Sequence, residues 1–229
     1  MRGTIVARGG GGFSMSEDGA SAIDDYILDL TGKTSPKVCF VPTASGDAPD
    51  YGKRFEAAFQ GRARTSLLSL FGGGAYDYTD PHMLLDQDVV YVGGGSTANL
   101  LTLWRLHGVP DLLAQAAENG TVLAGISVGA NCWFEACSTD SFSPLAPLAD
   151  GLGFAKGSIC PHYLGEEHRR ATYQRWVASG ELPPGYAVDD HAAVVLRDGA
   201  LGDVISERSG TVAYRVDADC EHPPEVRRL

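Results

Sequence analysis

The sequence predicts an α/β fold, a mostly parallel sheet with helices packed on both faces. Two observations carry that reading. Short apolar runs alternate with segments of helical spacing over the first two-thirds of the chain. Three of those runs also end in glycine clusters, at 9–12, 93–95 and 125–129, where a chain leaving a strand turns sharply.

Thr4 to Ala7 reads as a first strand, followed by Gly9-Gly10-Gly11-Gly12. Residues 20–31 place Ile23, Ile27 and Leu30 on one face, with Gly32 after the end, which is helical spacing with a stop. Val38 to Val41 is a buried strand closed by Pro42, residues 50–60 are helical, and Thr65 to Leu70 is strand-like. Asp88 to Val92 is a further strand, ending in Gly93-Gly94-Gly95. Helices follow at Asn99 to Leu106 and at 110–118, and then Thr121 to Ile126 leads into Ser127 with a helix behind it. Such alternation makes parallel strands covered on both faces, with sites beyond their carboxyl ends. From about residue 140 the texture changes. Residues 141–160 are loop-rich, 166–178 helical, and Ala192 to Leu196, Val204 to Glu207 and Thr211 to Val216 are short β segments. No repeat or linker divides the chain, so one domain over 1–229 is expected, with an exposed tail from about 220.

The 229-residue chain is 44% hydrophobic, enough for a sizeable core. Its net charge of −11 argues against nucleic acid or an anionic membrane as partner, because phosphate surfaces are met by clustered Lys and Arg. The cysteines (Cys39, Cys132, Cys137, Cys160, Cys220) are odd in number and lack a C-x-x-C pair. That disfavours a disulfide framework or a zinc site and points to a reducing, cytoplasmic compartment. No signal peptide is visible, and no apolar run reaches the length of a membrane span.

The chemistry centres on G-I-S-V-G (125–129), which fits G-x-S-x-G. An apolar strand running into a tight turn would lift the Ser127 hydroxyl above the sheet edge and aim backbone N–H groups at what it attacks. Gly125 and Gly129 suit that turn because side chains there would block close backbone approach. The same five residues also describe an ordinary glycine-rich strand–helix turn. A serine needs a base, and the base an orienting acid. Of the six histidines, His162 is the best placed, at a strand end stopped by Pro161. His107 reads as a helix cap and His168 as solvated; His82 and His222 are poorly placed. Asp140 and Asp190 both stand as candidates for the acid. The loop G-G-G-S-T-A-N (93–99) offers amides for an oxyanion or a carboxylate. An arginine in E-E-H-R-R (166–170) offers a bidentate partner for an acidic substrate group. There is no P-loop pattern, and Gly9 to Gly12 lacks the spacing of a dinucleotide fingerprint, so no cofactor is expected.

Taken together, I-V-A-R-G-G-G-G-F, Y-V-G-G-G-S-T-A-N-L-L, G-I-S-V-G-A-N-C-W-F, C-P-H-Y-L-G-E-E-H-R-R and L-P-P-G-Y-A-V-D-D-H-A-A resemble the peptidase E family. These are serine dipeptidases acting on peptides with an amino-terminal aspartate, related to cyanophycinase. The likeness runs from about residue 4 to 215. It implies a class I glutamine amidotransferase-like, flavodoxin-like architecture, with Ser127 as nucleophile and His162 as base. The family's acid falls on Asp190, where many relatives carry glutamate, or alternatively on Asp140. Gly94 or Gly95 together with Val128 would donate to the oxyanion. Ser96 and Thr97 would line the substrate loop, and Arg169 or Arg170 would receive the substrate carboxylate. Ser96 departs from an asparagine common in relatives, and Val128 from an alanine. The expected partner is a short peptide, and the expected assembly a monomer or homodimer. The alternatives are a cyanophycinase-like hydrolase of β-aspartyl-arginine units and a non-catalytic small-molecule-binding module. A cysteine hydrolase fails because Cys132 lies a turn beyond the elbow.

Overall fold

The structure is a computed structural model and describes residues 1–219, 221–222 and 226–229; Cys220, which opens the tail, lies outside the described residues. In chain order the elements are β1 (Thr4–Arg8), α1 (Ala22–Asp29), β2 (Lys37–Val41), α2 (Pro49–Phe59), β3 (Arg64–Leu67), β4 (Val89–Val92), α3 (Thr97–Leu106), α4 (Val109–Glu118), β5 (Val122–Ile126) and α5 (Val128–Asn131). They continue with β6 (Phe134–Thr139), β7 (Ala146–Leu148), β8 (Ala155–Cys160), α6 (Arg169–Ser179), β9 (Gly185–Val188), β10 (Ala192–Arg197), β11 (Ala200–Ser206), β12 (Ala213–Val216), β13 (Glu221–His222) and β14 (Arg227–Arg228).

Two sheets form. The larger runs β14-β11-β10-β1-β5-β4-β2-β3, and its five strands from β1 to β3 are all parallel. Alternation along these strands divides the core. Val6, Val38, Phe40, Tyr91 and Ala124 point to one face and meet Ile23, Ile27, Phe55 and Phe59 of α1 and α2. Ile5, Cys39, Val41, Val90 and Leu123 point to the other and meet Leu100, Leu101, Trp104, Val109 and Leu113 of α3 and α4. Helices therefore cover both faces, as the alternation of elements requires.

The second sheet, β13-β12-β9-β8-β6-β7, was legible only in part: β12 and the carboxyl end of β8 were read as β structure, while β6, β7 and their union in a separate sheet were not. The helix behind Ser127 is a single turn, and the chain enters β6 at Phe134. Asp140 thus follows a strand, not a helix. Glycine at 129 leaves that turn little helix propensity, while its closeness to β4 fixes the turn in place. A Cβ on Gly129 would lie 2.2 Å from the Val92 carbonyl oxygen, and one on Gly125 would lie 2.0 Å from that of Gly129. The span read as loop-rich contains β7 and β8. Strands β8 and β9 are parallel neighbours, so their carboxyl ends lie side by side.

The carboxyl end of β1 holds a buried ionic group. Arg8 is fully enclosed; its Nη1 donates to Asp24 Oδ1 at 2.5 Å and its Nη2 to Glu207 Oε1 at 3.1 Å. Tyr91 Oη donates to Asp24 at 2.9 Å, and Glu207 Oε1 also contacts His191 Nδ1 at 3.0 Å. Removing one partner strands a buried charge. Asp24→Ala is therefore expected to lower unfolding stability by about 3–5 kcal/mol in urea titrations. A loss below about 1 kcal/mol would count against the network as a structural anchor.

Candidate active site

Ser127 sits between β5 and α5 with φ 57° and ψ −113°. A left-handed φ on a non-glycine residue costs of order 1–3 kcal/mol and persists only where the surroundings over-determine it. Here they do. The Ser127 N–H donates to Arg8 O at 3.2 Å, and its carbonyl accepts from Ala130 and Asn131 at 2.9 and 3.0 Å. The hydroxyl is thereby presented beyond the carboxyl ends of β1, β5 and β4.

His162 arrives from the other sheet. It follows β8, itself in a left-handed conformation with φ 53°. Its Nε2 is 2.8 Å from Ser127 Oγ and its Nδ1 is 2.6 Å from Asp190 Oδ1. Asp190 follows β9 and bridges to Gly10 after β1. The three side chains are partly buried, with His162 and Asp190 at 20% and 23% exposure. A hydroxyl, an imidazole and a carboxylate thus stand in hydrogen-bonding order. The bond from His162 holds the Asp190 carboxyl below its ordinary value. A depressed folded value stabilises the native state above the unfolded value of about 3.9 and loses that contribution as pH falls through the lower folded value. Asp190→Asn is accordingly expected to flatten the acid limb of stability as pH falls below about 4. Denaturant titrations over that range check it; an unchanged limb would oppose it.

Asp140 stands apart from the ring. Both His162 nitrogens are engaged elsewhere, and the Asp140 carboxylate lies 4.0 Å from Arg169 Nη2. Of the candidate oxyanion amides, Gly94 N–H donates to Tyr51 Oη at 3.2 Å. The amides of Gly95 and Val128 have no acceptor among the described residues. A Cβ on Gly94 would lie 3.6 Å from Ser127 Cβ, so this loop passes directly over the serine. Gly95 has φ 142°, and a Cβ there would lie 2.1 Å from Ala44 O.

Ser96 and Thr97 are used internally. Ser96 caps α3 by accepting from Asn99 N at 3.3 Å, and the buried Thr97 Oγ1 accepts from Asn131 Nδ2 and Thr139 Oγ1 at 3.2 and 3.1 Å. Arg169 is the first residue of α6 and its side chain is 5% exposed; its Nε donates to Glu166 Oε2 at 2.8 Å and its Nη2 to the same oxygen. Arg170 is bound to Glu221, which also accepts from Gln174 and Tyr163. Cys132 is fully buried, donates to Gly129 O at 3.2 Å, and burial pushes its thiol well above the ordinary value, leaving it inert beside the serine.

Three features of the site escaped the sequence reading. The run Gly9 to Gly12 serves close packing. A Cβ on Gly9 would lie 2.3 Å from Asp189 O, on Gly10 1.9 Å from Asp190 Oδ1, and on Gly12 2.4 Å from Arg8 Nη1. Tyr51, on α2, reaches the Gly94 amide. Asp189, beside the acid, is buried and bound to backbone. The glycine run was the one visible signal, since consecutive glycines at a strand end require something close by.

Comparison with known proteins agrees with this architecture. The sequence profile of peptidase family S51 matches residues 5–203. The chain is 48% identical over 213 residues to "Uncharacterized peptidase YgaJ" of Bacillus subtilis (strain 168), covering 93% of this chain and 91% of that protein. It is 31% identical over 166 residues to "Peptidase E" of Streptomyces coelicolor, covering 69% and 66%. Two solved structures share the fold. A peptidase from an acI-B1 Actinobacterium superposes with a TM-score of 0.73 at 15% identity, covering 99% of this chain and 95% of that one. A putative peptidase E from Listeria monocytogenes EGD-e superposes with 0.63 at 19% identity, covering 91% and 99%. With the profile covering most of the chain, including every residue of the serine–histidine–aspartate line, the chain belongs to peptidase family S51, the peptidase E family.

Proposed function

We propose that this chain is a serine peptidase that cleaves short peptides after their first residue through an acyl-enzyme, with dipeptides bearing an amino-terminal aspartate as preferred substrates. The observation that carries the reading is the continuous line Ser127 Oγ, His162 Nε2, His162 Nδ1, Asp190 Oδ1, with links of 2.8 and 2.6 Å. Ser127 Oγ attacks the carbonyl carbon while His162 Nε2 takes its proton. Asp190 holds the ring by its Nδ1–H and stabilises the imidazolium that forms. Negative charge on the former carbonyl oxygen meets the free amides of Gly95 and Val128. His162 passes the proton to the leaving nitrogen, the C–N bond breaks, and the first residue remains as an ester on Ser127. Water, deprotonated by the same imidazole, then cleaves the ester and restores the serine.

Arg169 supports the acidic preference better than Arg170. Its side chain is buried, and its charge contributes to lowering Asp190. Arg170 is committed to Glu221. A substrate carboxylate reaches Arg169 by sharing or replacing the Glu166 contact. A charge-assisted bond of this kind contributes about 1.5–3 kcal/mol. Arg169→Gln is therefore expected to raise KM for Asp-X dipeptides about 10- to 100-fold and to leave Ala-X cleavage little changed. Arg170→Gln raising KM while Arg169→Gln does not would reverse the assignment.

The reading as a whole is tested by incubating the protein with a fluorophosphonate and mapping the adduct, alongside a dipeptide panel that includes β-aspartyl-arginine. Labelling at Ser127 with Asp-X cleavage is expected. No adduct and no cleavage would favour a binding module, and β-aspartyl-arginine as the best substrate would favour the cyanophycinase-like alternative.

A further inference from the structure

Asp189 is 4% exposed, and no cation stands against its carboxylate among the described residues. Its oxygens go instead to two backbone amides. Oδ1 accepts from Leu164 N–H at 3.2 Å, and Oδ2 accepts from Val212 N–H at 3.1 Å. Its own N–H donates to Val212 O at 3.0 Å, and its carbonyl accepts from Ala192 N–H at 3.2 Å. One side chain thus ties together the loop after β8, the turn after β9 and the entry to β12.

The loop after β8 carries His162. Its left-handed φ of 53° is a conformation that the chain does not hold unaided. Three contacts hold it: Tyr163 N–H to Val188 O at 3.2 Å, Glu166 N–H to His162 O at 3.2 Å, and Leu164 N–H to Asp189. Two of these anchors, Val188 and Asp189, belong to the strand end that presents Asp190. The loop also lies against the acid itself, since a Cβ on Gly165 would lie 2.5 Å from Asp190 Oδ2.

We propose that Asp189 is a positioning residue for the catalytic histidine, and that adjacent carboxylates divide the work: Asp190 binds the His162 ring and Asp189 grips the backbone two residues beyond it. This rests on the triad reading above. Fixing both from consecutive residues of one turn locks the ring and its acid to a common frame, so the Nε2–Oγ line keeps its geometry. Burial raises the Asp189 carboxyl, in keeping with a group surrounded by protein and neutralised only by amide dipoles.

The test is the rate at which a fluorophosphonate labels Ser127, measured well below each protein's Tm. The proteins are wild type, Asp189→Asn, Asp189→Ser and the stability control Ile27→Val. Asparagine preserves shape but turns an N–H2 toward one of the two amide donors; serine removes the buried charge altogether and serves if the asparagine variant fails to fold. Misplacing a reacting group by about 1 Å costs up to about 100-fold. Labelling is expected to slow at least tenfold (of order 10- to 100-fold) in the Asp189 variants, with KM for Asp-X dipeptides within about threefold of wild type. Ile27→Val should label within about twofold of wild type. A folded Asp189 variant that labels within twofold of wild type would overturn the proposal. Absence of labelling in the wild type would instead overturn the triad reading, so the two failures are distinguishable.

Discussion

Ser127→Ala is expected to lower kcat for Asp-X cleavage by about 10^5- to 10^6-fold, with the fold intact by circular dichroism. In the proposed mechanism the hydroxyl is the atom that bonds to substrate, and no second nucleophile is placed to replace it. Cys132, a turn beyond the elbow, is enclosed and its proton is held by burial. The variant loses one hydrogen bond of 2.8 Å to a partly exposed ring, a small structural effect. Residual activity above about 1% of wild type in purified protein would mean that the peptide bond is broken by another group.

Gly10→Ala is expected to be the most damaging substitution outside the triad. Its Cβ would lie 1.9 Å from Asp190 Oδ1 and 2.8 Å from His162 Cε1, closer than any packed carbon tolerates. The Asp190 carboxylate is not the free end of a long side chain; it is hydrogen-bonded to the ring and sits on a turn bridged to Gly10 itself. The methyl must therefore displace either the acid or the strand end. Kcat is expected to fall about 10^2- to 10^4-fold, the range seen when a triad acid no longer orients its histidine. The comparison with Gly61→Ala separates this from general glycine loss. Gly61 has a positive φ but open space around its Cβ, so that variant should lose some stability and keep its kcat. Equal kcat in the two variants would remove the steric argument.

The parallel sheet, its helices and the elbow at Ser127 were readable because each is encoded locally. Val38 to Val41 and Val89 to Val92 are continuous apolar runs of the kind a strand buried on both faces accommodates, and both lie in observed strands, Lys37–Val41 and Val89–Val92. The serine elbow is a run of five adjacent residues. His162 was found by the same logic, as a side chain just past a strand end. In the second sheet β6 was missed, and β8 was read only at its carboxyl end, because these strands are short and mixed in polarity: Phe-Glu-Ala-Cys-Ser-Thr and Ala-Lys-Gly-Ser-Ile-Cys lack both a clean alternation and an apolar run. Arg169 and Arg170 were indistinguishable as neighbours in one charged segment; the fold separates them by handing one to Glu166 and the other to Glu221.

What the sequence determined by itself was therefore the fold class and the serine and histidine that the structure brings together, each set by residues within a few positions of one another. Which aspartate completes the line was decided only in three dimensions. Asp140 is nearer to Ser127 along the chain, yet its carboxylate turns toward Arg169, while Asp190 comes 2.6 Å from His162. The reason is the meeting of two sheets. The carboxyl ends of β1 and β5 deliver Ser127, those of β8 and β9 deliver His162 and Asp190, and the bare backbone of Gly9 and Gly10 allows the two sets of strand ends to close to hydrogen-bonding distance.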